Sequence, residues 1–258
     1  MQKAASSIEP GTQGFRRTCI SLSRLIKFLM LPFRLAWLLI VWCRLRRGVL
    51  KASSLERLCN PRKAVFIDRD GTINVDVHYL ATPSDLILYP GVAEGIATLA
   101  KSGFLIIIIT NQSGIARGNL THEMLGEIHK RLHSLIEESG GRIDAIYYCP
   151  HHPDEKCACR KPEPGMLQKA ISDLHIDPRQ SFIVGDHMLD IEAGKAVGLK
   201  AVLIPEAVHE AVVEEEKKKS AAKADFECRT FPEAVKFILR TRDYSVKNDN
   251  GSTSHEPK

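Results

Sequence analysis

Two short segments leave this chain little freedom in what it folds into. Lys63-Ala-Val-Phe-Ile67 is an apolar run cut off by Asp-Arg-Asp-Gly, and Phe104-Leu-Ile-Ile-Ile-Ile109 is an unbroken one cut off by Thr-Asn-Gln. Neither alternates polar with apolar residues, so each predicts a strand buried on both faces. Between them, residues 92–102 have helical character, opened by Pro90-Gly91 and closed by Gly103. A second helix is expected from Thr121, with Leu125, Ile128, Leu132 and Leu135 at helical spacing as far as Gly140-Gly141. A strand at 145–148, a helix at 164–175, a strand at 181–184, a helix at 189–197 and a strand at 201–204 complete the pattern. Strands alternating with helices specify an α/β fold, a parallel sheet covered by helices on both sides.

In such a sheet the ligand site lies beyond the carboxyl ends of the strands. The residues there are Asp68-Arg-Asp70, Thr110-Asn-Gln-Ser113, Cys149-Pro-His151 and Gly185-Asp186. Three aspartates converging on one edge repel one another unless a cation sits among them, and hard oxygen ligands suit Mg²⁺. Magnesium in turn implies a phosphate-bearing substrate. A carboxylate that attacks phosphorus forms an aspartyl-phosphate and divides one hard displacement into two. In-line transfer then needs charge stabilisation on the phosphoryl oxygens and a proton donor for the leaving oxygen.

A second metal signal is independent of the first. Cys149-x-His151 and, after five intervening residues, Cys157-x-Cys159 offer three thiolates and an imidazole, the set a closed tetrahedral structural zinc site requires. His151 is preferred to the neighbouring His152 because its spacing from Cys149 mirrors that of Cys157 and Cys159. Zinc here would pin the loop and hold Arg160 and Lys161, which follow directly, over the strand ends. Cys19, Cys43, Cys59 and Cys228 are scattered, and a metal-thiolate site implies a reducing compartment, the cytoplasm.

Charge divides the 258-residue chain at residue 60. Residues 1–60 hold 11 basic and 2 acidic residues, a net +9, and the remainder holds 25 basic and 29 acidic, a net −4, so the overall +5 belongs to the leader alone. A net-acidic body does not supply the basic face that nucleic acid requires, so no nucleic-acid partner is expected. The leader's most apolar run, Leu35-Ala-Trp-Leu-Leu-Ile-Val-Trp-Cys43, is too short for the ~20 residues of a spanning helix. Three readings fit it: an interfacial or signal-anchor helix making peripheral membrane contact through residues 20–50, a targeting peptide, or a misassigned start. Residues 61–242 form the catalytic domain in this reading. The polar tail 243–258 is expected to be disordered, and Glu214-Glu-Glu-Lys-Lys-Lys219 to be a solvated helix face.

Four motifs in order carry a family resemblance. Asp68-Arg-Asp-Gly-Thr72 resembles the D-x-D-G-T signature of haloacid-dehalogenase-superfamily phosphatases, Thr110 their second motif, Lys161 their third, and Gly185-Asp-His-Met-Leu-Asp190 their fourth. Within that superfamily, residues 68–74 (DRDGTIN), 110–118 (TNQSGIARG), 147–153 (YYCPHHP) and 160–167 (RKPEPGML) are most similar to the heptose 1,7-bisphosphate 7-phosphatase family. The resemblance covers roughly residues 62–204. It implies a Rossmann-like three-layer parallel sheet with a minimal cap, little more than the 76–88 loop and the zinc loop.

The resemblance also implies roles. Asp68 is the nucleophile and a magnesium ligand. Asp70 is the acid and base, with its backbone carbonyl on the metal, and Asp186 completes the Mg²⁺ site. Thr110 and Lys161 hold the transferring phosphoryl group, and Arg160 recognises the second phosphate. Asp76, Val77, His78, Tyr79, Asn111, Gln112, Ser113 and His187 line the sugar. The product would feed nucleotide-activated heptose for bacterial lipopolysaccharide core or surface-layer glycans, made by a cytoplasmic monomer. Two departures stand out: His187 replaces a lysine common in the family, and the zinc loop is shorter than in some members. Asp190 either joins this chemistry or only caps the helix that follows. Histidinol-phosphate phosphatase shares the motifs and zinc loop, but residues 111–118 and the Pro-Gly-Met-Leu after Lys161 favour the heptose family. A membrane-associated zinc module without catalysis is disfavoured because every motif position is intact.

Overall fold

The computed structural model describes residues 61–77, 80–205 and 210–249, all within the unit that starts at Asn60. Strands β1 (Ala64–Ile67), β2 (Leu105–Asn111), β3 (Ala145–Cys149), β4 (Phe182–Gly185), β5 (Lys200–Leu203) and β6 (Phe226–Glu227) form one sheet in the order β3-β2-β1-β4-β5-β6. Every neighbouring pair is parallel. Successive residues feed opposite faces of the sheet. Val65, Ile67, Ile106, Ile108, Val184 and Val202 enter one core, and Ala64, Phe66, Ile107, Ile109, Ile183 and Leu203 the other. That is why the runs contain no polar position.

Helices α1 (Val92–Lys101), α2 (His122–Glu138) and α6 (Phe231–Asp249) cover the first face, through Ile96, Leu99, Leu125, Ile128, Leu132, Phe231 and Ile238. Helices α3 (Gly165–Leu174), α4 (Met188–Ala196) and α5 (Glu210–Lys219) cover the second, through Met166, Leu167, Met188, Ile191 and Val213. The Thr121 hydroxyl caps α2 by accepting the Met124 N–H at 3.2 Å. From β1 the chain winds outward to β2 and β3, then returns to the other flank of β1 as β4. The order reverses between β1 and β4, and a ligand crevice opens at the carboxyl ends of the strands on either side of such a reversal.

The structure adds elements that the sequence pattern does not announce. β6 has only two residues, too few for a periodicity, and α6 follows it. α6 continues through Asp249, so residues 243–249 are helical where a disordered tail is expected, and 250–258 lie outside the described residues. Its anchor is apolar: Phe231, Ala234, Val235 and Ile238 are buried, and Phe237 stacks on Phe226 with ring centroids 4.4 Å apart. In α5, Val213 is fully buried, so that helix is not solvated all round. Residues 1–60, with the membrane, targeting and start-codon readings, also lie outside the described residues, among which no helix is long and apolar enough to cross a membrane.

If α6 belongs to the core, Phe231→Ala should cost about 3–5 kcal/mol. The measurement is a urea titration, with a lowered midpoint and an unchanged slope expected; an unchanged midpoint would detach the helix from the cooperative unit.

Candidate active site

Four strand ends and one loop build the site. β1 opens directly into the turn 68–74, where the Asp68 N–H donates to the Val184 carbonyl at 2.9 Å and the Ile73 N–H to the Arg69 carbonyl at 2.8 Å. The turn passes through Gly71 at φ +80°, and a Cβ there would run into the Asp186 carboxylate, so the position requires glycine twice over. Gly185, at the end of β4, is under a similar constraint, because a Cβ would collide with the Asp190 side chain.

Lys161 lies at the centre, its side chain 3% exposed. Its ammonium is 2.7 Å from Asp68 Oδ1 and 2.5 Å from Asp190 Oδ1, and it donates to the Ile109 carbonyl at 3.0 Å. Burial disfavours the charged ammonium, but Asp190 and Asp68 more than offset that and hold it above the ordinary lysine value. Burial likewise pushes the Asp68 carboxyl up to about 6, against the pull of Lys161 and with Asp190 adding to the rise. Asp186 is raised well above the usual carboxylate range by burial and by the charges of Asp68 and Asp190, although the Thr72 hydroxyl donates to it at 3.0 Å.

Asp68, Asp186 and Asp190 bring carboxylate oxygens within 4.8 Å of one another. One ammonium against three carboxylates leaves excess negative charge in a poorly hydrated place, and the donor set, all hard oxygen, fits a divalent cation such as Mg²⁺. Asp190 does two things at once: Oδ1 holds Lys161, and Oδ2 accepts the His187 N–H at 3.3 Å, capping α4.

The Asp70 carboxylate stands outside that cluster. Arg69 forks onto it, Nε at 3.0 Å and Nη2 at 2.9 and 2.7 Å, while Asn74 Nδ2 donates at 3.0 Å and Gln112 Nε2 at 2.8 Å. Burial would raise this carboxyl, but Arg69, Asn74 and Gln112 outweigh it and bring it below the ordinary aspartate value. The reading of Asp70 as a metal ligand therefore rests on its backbone carbonyl, not on its side chain.

A cavity of about 230 Å³ joins Asp68, Asp70, Asp76, Thr110, Asn111, Arg160, Lys161 and His187, with Leu189 and Asp190 completing its wall. Arg160 Nη1 is buried there without a hydrogen-bond partner, a donor suited to an anion. Gln112 and Ser113 instead line an adjoining cavity of about 60 Å³ with Arg69 and Asp70. Gln112 also donates to the Thr110 hydroxyl at 2.8 Å. Asn111 ties β2 to the loop, its amide donating to the Lys161 carbonyl at 3.2 Å and its carbonyl accepting the Lys161 N–H at 3.1 Å. The two amides thus act as braces. Val77 is 46% exposed and lines neither cavity, and His78 and Tyr79 lie outside the described residues.

The zinc ligands expected from the sequence do converge. Cys149 Sγ, His151 Nδ1, Cys157 Sγ and Cys159 Sγ all lie within 4.8 Å of one another, and every pair except His151 with Cys157 is 3.2–3.5 Å apart, near the edge length of a tetrahedron with metal–sulfur bonds of ~2.3 Å. Burial pushes the Cys149 thiol up to about 12, so ionising all three thiols at neutral pH calls for a cation among them. Arg160 and Lys161 follow Cys159 directly.

Known proteins resemble this chain in sequence and in fold. A protein from Haemophilus ducreyi named D-glycero-β-D-manno-heptose-1,7-bisphosphate 7-phosphatase is 42% identical over 164 residues, which span 61% of this chain and 90% of that protein. The chain belongs to this phosphatase family. A family member from Pseudomonas putida is 44% identical over 143 residues, 55% of this chain and 82% of its own length. The HAD-hydrolase-like family model matches residues 158–234, which include the third and fourth motifs. Among solved structures, D,D-heptose 1,7-bisphosphate phosphatase from B. bronchiseptica, complexed with magnesium and phosphate, superposes with a TM-score of 0.63 at 30% identity, covering 69% of this chain and 99% of that one. The corresponding enzyme from Burkholderia thailandensis gives a TM-score of 0.52 at 27% identity over the same shares.

Cys157→Ser should lower zinc content and thermal midpoint together, and dialysis against a chelator should do the same to the unaltered protein. Metal analysis showing full zinc retention in the variant would refute the ligand set.

Proposed function

We propose that this enzyme removes the C7 phosphate of D-glycero-D-manno-heptose 1,7-bisphosphate through an aspartyl-phosphate on Asp68. The observation that carries this reading is the buried Lys161 ammonium 2.7 Å from Asp68 Oδ1, beside two further carboxylates at the edge of the β1/β4 crevice. The names of the family members supply the sugar.

In the first step Asp68 attacks phosphorus as the bond to the sugar oxygen breaks, and Asp70 gives that oxygen its proton. In the second, Asp70 takes a proton from water, which attacks the same phosphorus, releasing inorganic phosphate and regenerating the Asp68 carboxylate. Bonds from Arg69, Asn74 and Gln112 favour ionised Asp70, the form the second step uses; proton delivery in the first requires the carboxyl to loosen from that clamp. Lys161 and the Thr110 hydroxyl hold the phosphoryl oxygens, Lys161 as a point charge. Arg160 meets the second phosphate with its planar fork, while Asp76 and His187 border the sugar. Asp68, Asp186 and the Asp70 carbonyl would hold Mg²⁺, whose chemistry is to neutralise charge on the phosphoryl oxygens. The thiolate-rich loop suits a cytoplasmic enzyme.

Turnover of both heptose bisphosphate anomers, fructose 1,6-bisphosphate and histidinol phosphate, with and without Mg²⁺, tests the substrate. A heptose bisphosphate should give the highest kcat/KM, and only with the metal; higher values on histidinol phosphate would overturn the choice. Asp68→Asn should cut phosphate release by on the order of 10³-fold or more with zinc content unchanged, and undiminished turnover would end the mechanism.

A further inference from the structure

His187 stands in the cleft wall directly after Asp186, and it does not stand alone. Its Nδ1 is 3.2 and 3.3 Å from the two carboxylate oxygens of Glu216, a residue 29 positions on in α5. Glu216 Oε2 also accepts the Met188 N–H at 3.1 Å, at the first turn of α4. The other ring nitrogen, Nε2, lies 3.4 Å from Asp186 Oδ2. One carboxylate therefore grips both the imidazole and the start of the helix that carries it. Nothing in the charge run around residue 216 signals this.

The physical need is specific. The torsion that turns an imidazole about its Cβ–Cγ bond is broad, so a histidine ring without a fixed partner presents either edge. A carboxylate accepts and never donates when ionised, so Glu216 selects a ring with hydrogen on Nδ1 and turns the Nε2 edge toward Asp186 and the cleft. We propose that Glu216 is a positioning residue for substrate binding: it fixes which edge of His187 the cleft offers to the phosphorylated sugar. The inference rests on the substrate reading above and extends it to a residue outside the four motifs.

A double-mutant cycle tests it. Glu216→Ala should raise KM for the heptose bisphosphate about two- to fivefold, the range of a partly exposed charged pair, with kcat within twofold. Glu216→Gln, whose amide oxygen still accepts from Nδ1, should recover most of the loss. In a His187→Ala background, Glu216→Ala should change KM no further. Equal effects of Glu216→Ala in both backgrounds, or a lowered thermal midpoint with KM unchanged, would reduce Glu216 to a helix cap and overturn the proposal. The ¹⁵N spectrum of the imidazole gives a second readout without substrate: a hydrogen on Nδ1 in the wild type that loses its fixed position in Glu216→Ala. Its absence in the wild type would also overturn the proposal. Because that spectrum needs no turnover, failure of the substrate assignment and failure of this inference are separate results.

Discussion

The buried ammonium of Lys161 organises this half of the molecule. An unpaired charge in such a place is prohibitively costly, and removing one partner of a buried pair typically costs about 3–5 kcal/mol. Lys161 is tolerated because Asp68 arrives from the end of β1 and Asp190 from the first turn of α4. Each neighbour then carries a constraint of its own. Residue 185 must be glycine to leave room for Asp190, and residue 71 must be glycine to leave room for Asp186. Asn111 clasps the Lys161 backbone, and the Cys/His cluster fixes the loop from the other side. Three strands and the metal loop are thereby referred to one nitrogen atom.

Charge is handled locally rather than globally. The chain after residue 60 is net acidic and the crevice gathers three carboxylates, yet the proposed substrate is an anion. What reconciles these is placement: Lys161 at the carboxylates, Arg160 with a buried donor left over in the wall, and a donor set suited to a divalent cation. Arg69 stands outside this set: its Nε and Nη2 hold Asp70, while its Nη1 is buried without a partner. The two aspartates of the first motif thus live in opposite environments, Asp68 raised by burial and Asp70 lowered by its donors, a separation expected where two carboxyls perform different tasks.

Much of this was legible in the sequence. Runs such as 104–109 can be buried on both faces in few ways, so the sheet followed, and residues at strand ends must share an edge. The Cys/His cluster was legible because Cys149, His151, Cys157 and Cys159 lie close together in the sequence. Contacts between distant segments were not. Asp190 looked equally like a cap because its bond to Lys161 spans 29 residues. The amides of Asn111 and Gln112 also brace Lys161, Thr110 and Asp70, contacts that the motif spacing does not announce. Glu216 was hidden in a run of three glutamates and three lysines, from which only tertiary packing sets it against His187. α6 begins after a two-residue strand, and its polar end continues as helix to Asp249 because the helix is already nucleated by buried Phe231 and Ile238.

The central claim is that Asp68, held beside Lys161, carries the phosphoryl group between the two steps. The most direct measurement is rapid acid quenching of the enzyme during turnover of heptose bisphosphate, followed by peptide mass spectrometry. The account predicts phosphate on the peptide containing Asp68, located at that residue and absent from quenched Asp68→Asn protein. Phosphate trapped on another residue would contradict it.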